Sequence, residues 1–273
     1  MEPAFSEERG YPSLHQPRTT ETAREGPSQL KRFFYTALGA QWNPERVVEW
    51  NGALGLKDSL REAMAHILSP IVLGEFSAFN GIPQRILSFK DYEVKQYLAA
   101  QLVDETRHAE AFDLYLERIG TANTYKKSWR NIHIVRYFNE MKRLTDDDQW
   151  LAGLLVTEIT ARVLLGSYVK KVNCPITEKL FSRILTDEAR HISFVNYYMT
   201  ILLKGSAASD RAYLAKVTEL LLRLTRDMLD YYRMALQAFN LHPEILFLEI
   251  QKEILKSRAA REIMRDPEWI VPG

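Results

Sequence analysis

Asp104-Glu105-Thr106-Arg107-His108 and, 83 residues later, Asp187-Glu188-Ala189-Arg190-His191 are near-copies of one pentapeptide, each set within a long apolar stretch. Both contain Glu-x-x-His. Residues three apart share a helical face, so in each copy the carboxylate and the imidazole are placed to act from one side. Val94, Leu98, Leu102, Phe112 and Leu116 flank the first copy at helical spacing, and Phe181, Ile184, Leu185, Val195 and Met199 flank the second. Those faces are expected to be interior.

Working outward, each pentapeptide follows an isolated glutamate in an apolar segment, Glu75 in one case and Glu158 in the other. Glu75 lies 30 residues before Glu105, Glu158 lies 30 before Glu188, and every member of the second set follows its counterpart by 83. The pattern is that of a duplicated helix pair. One glutamate from each of two helices and one Glu-x-x-His from each of two others is the ligand arrangement of a dinuclear carboxylate centre. By average residue usage, Asp-Glu-x-Arg-His arises by chance in roughly one protein in a thousand of this length. Two copies in phase with two further glutamates are therefore read as a site and not as ordinary helix-surface ion pairs. Several buried carboxylates need compensating positive charge, which a metal pair supplies. Oxygen-rich ligation with some imidazole and no thiolate suits iron or manganese. Two iron ions are the expected cofactor, with a mixed manganese–iron pair as the alternative.

Apolar residues recur at three-and-four spacing from about Leu54 onward and strand signals are scarce, so the fold class is expected to be all-α. Long helices are predicted over 58–79, 83–119, 145–173 and 175–204, with a short one over 130–143 and two more over 210–239 and 243–261. Pro83 is read as opening the second helix, and Ser69-Pro70 as either a kink or a fresh start in the first. Gly120 is expected to stop the second helix. The first four long helices should form the core bundle. Residues 1–29 read as a flexible tail, and 30–273 as a single domain.

Composition narrows the function classes. With 36 basic and 35 acidic residues the net charge is +1, which gives no field for nucleic acid or an anionic membrane. Cys174 is the only cysteine, so no internal disulfide or cysteine metal site is available, and a reducing cytoplasmic location is expected. The start of the chain lacks the apolar core of a signal peptide. The apolar stretch 67–79 is too short to cross a bilayer and is interrupted by Pro70 and Glu75, so no membrane span is expected.

The doubled Asp-Glu-x-Arg-His, with Glu75 and Glu158, resembles the ferritin-like di-iron oxygenases, including the bacterial multicomponent monooxygenase hydroxylases, over residues 70–199. The resemblance implies a ferritin-like four-helix bundle with additional C-terminal helices. It implies that Glu75, Glu105, His108, Glu158, Glu188 and His191 bind the metals and carry the chemistry through them. Asp104 and Asp187 would hydrogen-bond the histidines, fixing their tautomers, while Arg107 and Arg190 balance those aspartates. By their residue types alone, the two arginines would be exposed ion pairs.

Three positions depart from related patterns. Arg162 stands where the hydroxylases carry a threonine, Phe112 where ribonucleotide reductase small subunits carry a radical tyrosine, and Ile184 where arylamine N-oxygenases add a histidine. Arg162 is placed on or beside the interior face, where a guanidinium would bind a substrate carboxylate; the alternative is a salt bridge to Glu158 or to a group behind the ligands. Tyr115 and Tyr198 are read as core aromatics, with a relay role as the alternative. His66, His15, His133 and His242 are left outside the site.

The activity implied is dioxygen activation for oxidation of a small organic substrate by hydroxylation, N-oxygenation, desaturation or cleavage. A ferritin-like ferroxidase is the alternative. The chain has neither a four-cysteine electron-transfer module nor a glycine-rich dinucleotide fingerprint. Electrons are therefore expected from a ferredoxin or a flavin reductase. The last helices are expected either to cover the bundle or to form a homodimer face.

Overall fold

The computed structural model describes residues 28–264 apart from 53, 55, 122–125 and 127–130; of the tail expected at 1–29, residues 1–27 lie outside the described residues, while Ser28 caps and Gln29 opens the first helix. The described chain is helical, with no strand among those residues. Its helices are α1 (Gln29–Gly39), α2 (Pro44–Val47), α3 (Asp58–Ser88), α4 (Tyr92–Arg118), α5 (Ile132–Arg143), α6 (Asp147–Val169) and α7 (Pro175–Leu202). After a short 3-10 turn at Leu203–Gly205 come α8 (Ala208–Tyr231), α9 (Arg233–Ala238), α10 (Pro243–Lys256) and α11 (Arg258–Ile263).

Short connections make α3 and α4 one antiparallel pair and α6 and α7 another. The pairs pack through α3 against α6 and α4 against α7, completing the four-helix bundle. Helix α1 lies across α4 and α7. Helix α8 covers α6 and reaches α5, α9 rests on α3, α10 on α6, and α11 on α7 and α8. The C-terminal helices thus cover the bundle.

Several boundaries differ from expectation. Pro83 does not open the second helix. Helix α3 runs through both Pro70 and Pro83, and α4 begins only after Asp91, whose carboxylate accepts from the amide of Glu93 at 2.8 Å and of Val94 at 3.4 Å. An interior proline removes one donor and frees the carbonyl four residues earlier. Those carbonyls belong to His66 and Phe79, both exposed residues that water can serve, so the ladder continues around each proline. The Ser69 hydroxyl donates to the Ala65 carbonyl at 2.6 Å and supports the same turn. The short helix expected from 130 is described from Ile132; residue 130 lies outside the described residues.

Gly120 does stop α4. At φ +77° it adopts the left-handed conformation that lets the amide of Thr121 bond back to the carbonyl of Leu116 at 2.8 Å. Helix α1 was not anticipated, and neither was the break at Ser257. The Ser257 hydroxyl caps α11 at the amide of Ala260 and donates to Asn196 on α7. One helix among the described residues, α6, is long and apolar enough to cross a membrane by length and composition, whereas no span was expected from the sequence. Most of α6 is buried by its neighbours, as in the central helix of a bundle, and it carries Glu158.

Candidate metal centre

Each bundle helix brings one glutamate to the middle of the core: Glu75 from α3, Glu105 from α4, Glu158 from α6 and Glu188 from α7. His108 and His191 join them one helical turn after Glu105 and Glu188. All six are buried. Two groups of ligand atoms form, each with its members within 4.8 Å of one another: Glu75, Glu105, His108 and Glu188, and Glu105, Glu158 and His191. Nδ1 of His108 lies 3.5 Å from oxygens of Glu105 and Glu188 and 3.7 Å from Glu75. Nδ1 of His191 lies 3.4 Å from Glu105, 3.5 Å from Glu158 and 3.7 Å from Glu188. Neither Nδ1 has a hydrogen-bond partner, and Oε2 of Glu188 has none either. Buried polar atoms are seldom left so. Two imidazole nitrogens and several carboxylate oxygens converging without mutual satisfaction fit a pair of hard-to-borderline divalent cations.

Behind the histidines lies a compact cage of charge. Asp104 bonds His191, and Asp187 bonds His108, each at 3.2 Å from Nε2, so each aspartate serves the histidine of the other pentapeptide. A carboxylate accepting from Nε2–H leaves the Nδ1 lone pair facing the glutamates. Arg190 donates to Asp104 at 2.5 Å and to Asp187 at 2.9 Å; Arg107 bonds Asp104 and reaches Asp187 at 3.2 Å. Both arginines are buried, at 6% and 7% exposure, which sets aside the reading of them as exposed ion pairs.

Two residues outside the bundle complete the cage. Gln41 donates to Asp104 at 3.1 Å, and the indole N–H of Trp42 donates to Asp187 at 2.7 Å. The guanidinium of Arg107 lies over the Trp42 ring at 4.9 Å. Burial alone would raise the Asp104 carboxyl, but the hydrogen bond and charge of His191, with Arg190, bring it to about 2. Asp187 is likewise opposed by burial and held well below the usual carboxylate range by His108, Trp42 and Arg190.

The glutamates divide. Burial pushes Glu75 and Glu188 well above the usual range. Glu105 is also opposed by burial, yet the two histidines outweigh it and bring it to about 2. Burial lowers neither histidine on balance, since the surrounding carboxylates raise both. Four carboxylates therefore share too little positive charge, the condition a bound cation pair relieves.

A further residue touches the ligands. Gln101, fully buried on α4, donates from Nε2 to Glu105 and to Glu158, each at 2.9 Å. It stands one turn before Glu105 on the same face, so its signal was present in the sequence. Gln41 and Trp42 offered no such signal, because nothing in their local pattern ties them to residues 63 and 145 positions away.

Beside the carboxylates lies a cavity of about 80 Å³, bounded by Glu75, Glu105, Glu158 and Glu188 and by apolar residues including Ile71, Leu154, Leu164 and Met228. A second space of about 280 Å³ shares Gly74, Ala78, Phe138, Leu154 and Thr157 with it and extends to Gln84, Arg85 and Lys142.

Arg162 is not part of this site. It points to α10, 3.7 Å from Glu253, with its side chain 45% exposed, and lines neither space. Its counterpart in the first half, Phe79, also lies four residues after the glutamate and is also exposed. A four-residue offset lies within reach of the ligand face, as Gln101 shows, but Arg162 is drawn the other way by Glu253 on α10. Neither of the two pairings expected for Arg162 is formed. Tyr115 bonds the Thr177 hydroxyl at 2.8 Å and packs on Phe181, and Tyr198 stacks on Phe194, both as core aromatics. His66 and His242 are exposed, His133 packs on Tyr231, and His15 lies outside the described residues.

Comparison with known proteins agrees with this arrangement. Residues 82–269 match the family described as P-aminobenzoate N-oxygenase AurF. Among solved structures, the fold is similar to an R2-like ligand-binding oxidase variant with an anaerobically reconstituted Mn/Fe cofactor, at TM-score 0.73 and 17% identity over 87% of this chain and 94% of that one. It is equally similar to another variant of that oxidase with an aerobically reconstituted Fe/Fe cofactor, at TM-score 0.73 and 16% identity over the same shares. No curated protein sequence matches the chain. The fold is ferritin-like, and the match over most of the chain makes this protein a dioxygen-dependent di-iron oxidase or oxygenase of small organic substrates, belonging to the P-aminobenzoate N-oxygenase AurF family.

Proposed function

We propose that two metal ions, both iron or a manganese–iron pair, sit between α3, α4, α6 and α7. Glu75, His108 and Glu188 would hold one, Glu158 and His191 the other, with Glu105 shared. The observation that carries this reading is the pair of buried, unpartnered Nδ1 atoms facing four glutamates beside an apolar cavity. When bound, such a pair supplies dioxygen activation and oxidising equivalents.

The chain's own residues do the rest. Asp187 and Asp104 hold the imidazoles in the tautomer that presents Nδ1, and the arginine cage keeps both aspartates ionised. Ile71, Leu154, Leu164 and Met228 exclude water from the cavity where the reacting end of a substrate would lie. The larger adjoining space gives that substrate a route past Gly74 and Phe138. Its chemical class is a small, largely apolar molecule, and an aryl amine is the first to test given the family. Ile184, fully buried, leaves this chain without the third histidine of arylamine N-oxygenases, so a different oxygenation remains in the test set. One atom of dioxygen would enter the product and the other leave as water, with two electrons from a ferredoxin or flavin reductase and two protons from solvent. A homodimer in a reducing, cytoplasmic setting completes the proposal; Cys174 is buried and unpaired. A ferroxidase role would leave the apolar cavity unused.

The test loads the protein anaerobically with ferrous iron, measures metal by mass spectrometry, and exposes it to ¹⁸O₂ with a panel of aryl amines and small hydrocarbons. Two metals per chain and one heavy oxygen in a product support the reading. Folded protein that takes up no metal refutes it.

A further inference from the structure

The two halves of the site are copies, yet they are not chemically equal. The ligand group around His108 has four members, whereas the one around His191 has three. Gln101 lies four residues before Glu105. The equivalent position in the second half, four before Glu188, is Ile184, a fully buried hydrocarbon. The amide of Gln101 spends both N–H groups on Glu105 and Glu158, two of the three members of the smaller group. Its Oε1 is buried and accepts from no described residue.

We infer that Gln101 is a positioning residue for the His191-side metal, holding Glu105 and Glu158 where that metal would need them. The inference rests on the proposed dinuclear site and says something further about it: the positions are inequivalent, and the His108 side fills first.

Two arguments favour this assignment over simple core packing. A buried amide costs free energy unless its groups are satisfied, and an aliphatic residue of similar volume would fill the space, as Ile184 does opposite. Removing partners that orient ligands commonly lowers metal affinity 10–100-fold, and here the partner touches two ligands of the smaller group and one of the larger. Glu105 belongs to both groups, but Glu158 belongs only to the smaller.

The test is an anaerobic calorimetric titration of the full-length apoprotein with Mn²⁺ and separately with Fe²⁺. Wild type should show two unequal steps. Gln101→Met, similar in length and without an amide, should leave the first step within about twofold and weaken the second about 10–100-fold. Gln101→Asn, too short to reach both carboxylates, should do the same and serves if the methionine variant does not fold. The ratio of the two steps is the readout, because general loosening of the bundle lowers both together. Equal steps in wild type, or a variant in which both steps fall alike or neither changes, would overturn the inference. Absence of any binding would instead sink the metal reading beneath it.

Discussion

Arg190→Met removes one of the two cations shared by Asp104 and Asp187 while keeping most of the side chain's apolar length. In the native cage two buried aspartates are balanced by two buried arginines, and Arg190 bonds both, at 2.5 and 2.9 Å. Without it the two carboxylates share Arg107, and the cage carries an uncompensated buried negative charge. Breaking a buried ion pair by removing one partner costs about 3–5 kcal/mol. For a chain of this size each kcal/mol lowers Tm by roughly 2–4 °C, so a drop of about 6–20 °C is expected. The assay is urea unfolding and thermal melting of apoprotein kept in chelator, so that metal linkage does not contribute. Arg143→Ala is the control. Arg143 pairs with Glu140 at 2.6 Å, closely matching the Arg190–Asp104 distance, but its side chain is 73% exposed, and its loss should cost about 0–1 kcal/mol. A result for Arg190→Met within the range of the control would refute the reasoning, since geometry and burial would then not govern the cage.

Glu105 belongs to both ligand groups and Glu75 to one, so Glu105→Ala should abolish binding of both metals and Glu75→Ala should retain one, as read by mass spectrometry of desalted, reconstituted protein. Ala78→Leu places bulk where the inner cavity meets the outer space; it should cut substrate turnover at least tenfold with metal content unchanged, and full turnover would show that substrate arrives by another path. Burial pushes the Tyr137 phenol up to about 12 and raises Tyr97 and Tyr115 as well. Above pH 10 the unfolded chain releases these protons while the folded chain keeps them. Stability should therefore fall as pH rises from 10 to 12, by about 1.4 kcal/mol per pH unit for each such tyrosine, with a further step in tyrosinate absorbance on unfolding.

The centre of the molecule was legible because its signal is local and repeated. Glu-x-x-His at three-residue spacing defines a face, and the 83-residue repeat matches four helices to four glutamates before any packing is known. Helix ends were harder to place. Pro83 reads as a start signal, yet its cost inside a helix is one donor and one freed carbonyl, and exposure at Phe79 makes that tolerable. Arg162 was misplaced because a four-residue offset sits at the edge of a face, and only the presence of α10 with Glu253 decides which way it turns. Residues 41 and 42 were invisible because their partners are chosen by the docking of α1, which is a matter of tertiary contact and not of period.

The clasp made by Gln41 and Trp42 bears on how the molecule becomes competent. Neighbours in sequence, they grip the two halves of a duplicated site, one aspartate each, and the Trp42–Asp187 bond spans 145 residues. Contacts of such long range close late in folding, because chain closure must be achieved before they contribute. A nascent chain can lay α1 on α4 early, but the Trp42–Asp187 half of the clasp must wait until the last histidine helix has been made. Since each aspartate holds the histidine of the other half, orientation of both imidazoles is tied to completion of the bundle.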